Sequence, residues 1–94
     1  AQLAPSPIVR LNRAVAVSMA YGPAPALELV DALQGEARLE SYHLLPSVRG
    51  DLLERLGRYE EARAEFARAA SLAHNEREKS LLLGRMAGCG AGAQ

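Results

Sequence analysis

The chain has 94 residues, 49% of them hydrophobic and only 4% aromatic, with eleven basic side chains balanced by eleven acidic ones. That length holds one domain, with enough buried surface for a core that needs no metal or disulfide. The balanced charge argues against a domain that grips a phosphate backbone or an anionic membrane through a net positive field.

A single cysteine, Cys89, excludes an internal disulfide and a cysteine zinc cluster, and fits a reducing compartment, so a cytoplasmic location is expected. No apolar run approaches a membrane span, and the start Ala-Gln-Leu-Ala-Pro-Ser-Pro lacks the basic and apolar regions of a secretory signal. The chain starts at Ala rather than Met and reads as part of a longer protein.

Strand signals are nearly missing, with one Ile, one Phe, no Trp and no β-branched alternation. Ser6-Pro7 starts the first helix, Ser as N-cap and Pro at the first helical position. Ile8, Leu11, Val15 and Met19 share one face of it, while Val9, Ala14, Ala16, Val17 and Ala20 make it apolar nearly all round. Such a helix is expected to be covered on two sides.

Tyr21-Gly22-Pro23 ends this helix and starts a second, whose stripe is Ala26, Leu27, Val30 and Leu33, with Gly35 as its C-terminal cap. The link to Ser41 is polar apart from Leu39. A third helix begins near Ser41 or Tyr42, with Leu44, Val48, Leu52 and Leu56 every four residues. Pro46 predicts either a bend or a later start.

Gly57 breaks it, and a fourth helix runs from Arg58 to about Ala73, with Glu60–Arg63 and Glu65–Arg68 spaced for ion pairs. A fifth starts after Asn75 as N-cap, carries Leu81, Leu82, Leu83 and Met86, and ends at the Gly-rich stretch from Gly88. The domain is therefore expected over residues 5–87, with residues 1–4 and 88–94 as flexible ends.

The segments repeat. Gly22 and Gly57 stand 35 apart, as do Val15 and Gly50, and Ala26–Ala62 and Val30–Phe66 stand 36 apart. Leu56-Gly57-Arg58-Tyr59 with Ala62, Phe66 and Ala69 gives a turn and a helix of the tetratricopeptide (TPR) pattern, whose period is about 34 residues. The fold expected is all-α: a right-handed stack of two TPR-like helical hairpins plus a capping helix, about five helices in all. A mid-helix glycine such as Gly50 costs stability, so a close helix crossing is expected there, against the small face of Ala62 with Leu53 and Phe66 on either side. The pattern departs at Pro46, Arg49 and His74.

No constellation for chemistry stands out. His43 and His74 lie 31 apart without a third metal ligand, and Cys89 has no basic or histidine neighbour in sequence to lower its pKa. Asp51 and Glu54 each have an Arg four residues on, Arg55 and Arg58, which suits ion pairing. No phosphate-binding Gly loop occurs. Neither an enzyme nor a cofactor is expected, and no direct nucleic-acid or membrane contact.

In stacked hairpins the first helices line a concave groove. That puts Val9, Asn12, Ala16 and Met19 beside Leu44, Ser47, Asp51, Glu54 and Arg55. Asn12, Ala16, Met19, Ser47, Asp51 and Arg55 are the candidate partner-binding residues. Asn12, inside an apolar helix, has to find polar partners, either in a ligand's backbone or on a neighbouring helix.

Pro5-Ser6-Pro7-Ile8-Val9-Arg10-Leu11-Asn12-Arg13-Ala14-Val15-Ala16-Val17, then Gly22-Pro23 and Leu29-x-Asp31-Ala32-Leu33, resemble the carboxy-terminal extension of a group of bacterial extracytoplasmic-function (ECF) sigma factors of the sigma-70 family. Tyr42-His43-Leu44-Leu45-Pro46, Asp51-Leu52-Leu53-x-Arg55-Leu56-Gly57-Arg58 and Glu61-Ala62-Arg63 continue the resemblance, which covers roughly residues 4–83. It implies a regulatory, partner-binding TPR-like tail of an RNA polymerase specificity subunit. Its partner would be the sigma domains of the same chain, RNA polymerase or a regulator, with a homodimer through the apolar first helix as a further arrangement. The other reading is a TPR adaptor or peptide binder unrelated to transcription.

Overall fold

The computed structural model describes residues 6–89. These form five α-helices and one short 3-10 turn, with no strand among the described residues: α1 Pro7–Tyr21, α2 Pro23–Asp31, the 3-10 turn Ala37–Leu39, α3 Leu44–Arg55, α4 Tyr59–Leu72 and α5 Glu76–Gly88. Each helix packs on the next in chain order, giving a body with extents of 51 × 31 × 19 Å.

Local chemistry sets the boundaries. The Ser6 side chain accepts from the Val9 amide at 3.2 Å, with Pro7 opening α1. Gly22 alone separates α1 from α2, at φ 91°, a left-handed conformation that favours glycine. Asn75 caps α5, its side chain accepting from the Glu78 amide at 2.8 Å. α3 takes the later of its two expected starts: it begins at Leu44, so Pro46 falls in the first turn, where no intrahelical N–H is needed.

Two boundaries differ from the sequence reading. α2 stops at Asp31, and Leu33 to Glu36 wind on through tighter i to i+3 bonds, so Gly35 (φ 91°) ends this turn rather than the helix. At the other end Gly88 belongs to α5 and Cys89 is buried, its carbonyl accepting from Arg63 Nη1 at 3.1 Å. Residues 88 and 89 are thus structured. The flexible ends expected at 1–4 and 90–94 lie outside the described residues.

The core joins Leu11 and Ala14 of α1, Ala26, Leu27 and Val30 of α2, Leu39 of the link, and Leu45, Leu52, Leu53, Ala62 and Phe66 of the second pair. Leu39, the lone apolar residue of its link, is fully buried, and this pins the 3-10 turn against the helices. α1 buries only Pro7, Leu11, Ala14 and Ser18, so it is covered on one side, and Ile8, Val9 and Met19 are exposed.

Gly50 meets the close approach that its type demands. A Cβ built there would lie 2.9 Å from Phe66 Cε1, and the Phe66 ring supplies the three nearest atoms.

Candidate functional site

One flank of α1 looks across to α3. Val15, Ser18 and Met19 form one wall of a cleft of about 260 Å³, and Ser47, Val48, Asp51, Leu52 and Arg55 form the other. Four of the six candidate residues, Met19, Ser47, Asp51 and Arg55, meet in this one cleft. Asn12 and Ala16 lie on the exposed side of α1 outside its lining, and Asn12 faces solvent, which meets its hydrogen-bonding needs.

α3 is the shared wall of a second cleft, of about 180 Å³, whose floor and sides are His43, Leu44, Ser47, Glu78, Leu81 and Leu82. Ser47 belongs to both, so the two clefts adjoin along α3. Sequence reasoning missed the α5 contribution. Leu81 and Leu82 were visible as part of an apolar stripe, but nothing local said which Leu faces the core and which faces the cleft.

The rim is charged and paired within itself. Asp51 accepts from Arg55 at 3.1 Å and from Arg85 at 3.0 Å, and Arg85 also reaches Glu54 at 3.0 Å. The Arg85 guanidinium lies 4.7 Å from the Phe66 ring centroid, so it stacks on a ring that also touches the Gly50 backbone. Burial opposes the Arg85 charge, but the hydrogen bonds it donates to Glu54 and Asp51 outweigh that and raise its pKa. His43 Nε2 lies 3.5 Å from Glu78 Oε1, and the His43 and His74 rings meet edge to face.

Behind α3 a second ion network ties three helices. Arg49 donates to Asp31 of α2 at 2.8 Å and approaches Glu65 of α4 at 3.4 Å. The pairs expected between Glu60 and Arg63 and between Glu65 and Arg68 are not formed. Glu65 turns inward to Arg49 instead, and the pairing at the start of α4 is Arg58–Glu61 at 2.6 Å. Burial pushes the Glu65 carboxyl up despite the opposing charges of Arg49 and Arg68. Burial likewise raises the Cys89 thiol, helped by the Glu54 charge, against the lowering effect of Arg63 and Arg85.

An apolar floor under an internally neutralised rim is suited to receive apolar side chains of a partner, with rim groups left to hydrogen-bond its backbone. Among the described residues no three His, Cys, Asp or Glu side chains are grouped to hold a metal ion. No described helix is long and apolar enough to cross a membrane.

No protein-family model matches the chain, and no solved structure matches it. Over 81 residues it is 51% identical to an uncharacterized protein of Rhizobium meliloti (strain 1021). The alignment takes in 86% of this chain and 19% of that protein, so the chain spans about a fifth of the relative's length.

Proposed function

We propose that this chain is a TPR-like protein-interaction domain that regulates an ECF sigma factor, using the α1–α3 cleft to hold a partner. The TPR-like reading is supported by the spacing of the contacts between α3 and α5. His43 meets Glu78, 35 residues on, and Asp51 meets Arg85, 34 residues on. Charged side chains thus bridge α3 and α5 at the interval seen in the sequence, as a right-handed stack of hairpins would have them.

The observation that carries the functional reading is the convergence of Met19, Ser47, Asp51 and Arg55 on one apolar-floored cleft, beside a first helix left open on its outer side. In this reading the upstream sigma domains, RNA polymerase or a regulator insert apolar side chains over Val15, Val48 and Met19. The domain touches no nucleic acid itself, catalyses nothing and works in the cytoplasm. The transcriptional half of the proposal rests on the sequence resemblance over residues 4–83.

The test places Val15→Asp and Met19→Asp together in the intact protein. Output from its target promoter should change while far-UV circular dichroism stays that of the parent. Unchanged output from a folded variant overturns the sigma-regulatory reading. Loss of partner binding without any transcriptional effect would leave a TPR adaptor of another pathway.

A further inference from the structure

α5 differs from every other helix of the fold in burying none of its residues completely. It is held on one side by Arg85, by the His43–Glu78 contact, and by the half-buried Leu82 and Met86. Its other side is open. At the 34-residue interval set by Asp51 and Arg85, the α3 residues Pro46, Arg49, Gly50 and Leu53 correspond to Ser80, Leu83, Gly84 and Ala87 of α5.

The two faces have opposite fates. On α3, Pro46, Gly50 and Leu53 are buried, with the Phe66 ring of α4 against the Gly50 backbone. On α5, Ser80, Leu83, Gly84 and Ala87 are all exposed, and a Cβ at Gly84 would meet nothing within 4 Å. A glycine inside a helix weakens it, and here no described neighbour uses the space that it leaves.

From this equivalence we infer that the Ser80–Leu83–Gly84–Ala87 face of α5 is a docking surface for an amphipathic helix that seats a large aromatic or aliphatic side chain on Gly84. The charge pattern refines the partner. Arg49 meets Glu65 beside Gly50, whereas the corresponding Leu83 is uncharged, so the occupant carries an apolar residue where α4 has Glu65. A second α5 brings Leu83 to its matching face as the one large side chain, beside Ser80, Gly84 and Ala87, so a second copy of the chain is the competing occupant and its dimer is one outcome of the test. The Rhizobium meliloti relative, of which the shared stretch is only 19%, has chain to spare for such a helix.

The probe is a helix-constrained, fluorescently labelled peptide copying residues 58–73 with Glu65→Leu, titrated against the 94-residue chain. Saturable binding that weakens by roughly tenfold or more in Gly84→Leu, with unchanged circular dichroism, is expected, since that side chain fills the seat. Binding that Gly84→Leu leaves intact would mean that the peptide exchanges with the chain's own α4, and would overturn the inference. So would an absence of saturable binding. A concentration-dependent dimer of the parent chain that Gly84→Leu abolishes would overturn it too, by assigning the face to a second copy.

Discussion

Gly50→Ala and Gly84→Ala make the same chemical change at corresponding places on α3 and α5, yet opposite results are expected. In an open helix, replacing Gly by Ala gains about 0.5–1 kcal/mol, because the unfolded chain loses freedom. At Gly84 nothing lies within 4 Å of the new methyl, so that gain should appear in full in the isolated chain. At Gly50 the methyl lands 2.9 Å from Phe66 Cε1 and 3.1 Å from Cδ1 and Cζ. The ring is fully buried, so it yields only by disturbing the α3–α4 packing.

Overpacking of this kind costs roughly 1–3 kcal/mol, which outweighs the propensity gain and leaves Gly50→Ala destabilised by about 1–2 kcal/mol. For a domain of this size each kcal/mol moves the midpoint by about 4–8 °C. Urea and thermal unfolding followed by circular dichroism read both variants, and adding Phe66→Leu to Gly50→Ala should recover part of the loss by opening space. A Gly50→Ala protein as stable as its parent would refute the close crossing. A Gly84→Ala protein that loses stability would refute the open face of α5.

Arg49→Ala leaves the largely buried Glu65 carboxylate without its main counter-charge and should cost about 2–3 kcal/mol, whereas Arg49→Met with Glu65→Met should come close to neutral; unfolding curves of the single and double variants check this. The raised Glu65 carboxyl also has a pH signature. Its folded pKa lies above the unfolded one, so its contribution favours folding fully below the ordinary carboxylate range and is lost as pH rises through the folded value. Relative to Glu65→Gln, the parent should therefore gain stability on acidification across that window, and carboxyl NMR titration should find Glu65 protonating above the ordinary carboxylate range. Arg85→Ala removes two rim ion pairs and the stacking on Phe66, but the side chain is half exposed, so the expected loss is only about 1 kcal/mol and should shrink in high salt. Cys89, buried and raised, should be alkylated by iodoacetamide far more slowly in the folded chain than in denaturant.

Which features were legible in the sequence follows from how local their causes are. Ser6-Pro7, Gly22, Gly57 and Asn75 could be read as helix boundaries because caps and left-handed turns are decided within three or four residues. The end of α2 could not, since Ala32 and Leu33 are good helix formers and only the burial of Leu33 and Leu39 makes the chain tighten there. The period near 35 was legible as spacing. The nearest neighbour of Gly50 was not, because Ala62 and Phe66 lie on the same face of α4 and only the crossing geometry sets which comes nearer.

The same limit applied to charge. Helical spacing offered Glu65 to Arg68, but Arg49 from the facing helix took it, and spacing along one helix carries no information about a neighbour. Of the residues that periodicity set along the groove, Met19, Ser47, Asp51 and Arg55 line the cleft, while Val15 lines it without having been assigned there. Asn12 and Ala16 were assigned to the groove by the same rule and stand outside its lining: Asn12 shares the face of Met19 but sits two turns nearer the start of α1, and Ala16 is turned further toward solvent.

The most direct test of the central claim is photo-crosslinking in the intact protein, with a benzoyl-phenylalanine in place of Met19, Ser47 or Arg68. Met19 and Ser47 line the cleft, while Arg68 lies beneath the link on another side of the domain. Covalent products with the sigma domains, RNA polymerase or a regulator at positions 19 and 47, and none at position 68, are the predicted result. Products at position 68 with none at 19 or 47 would contradict it.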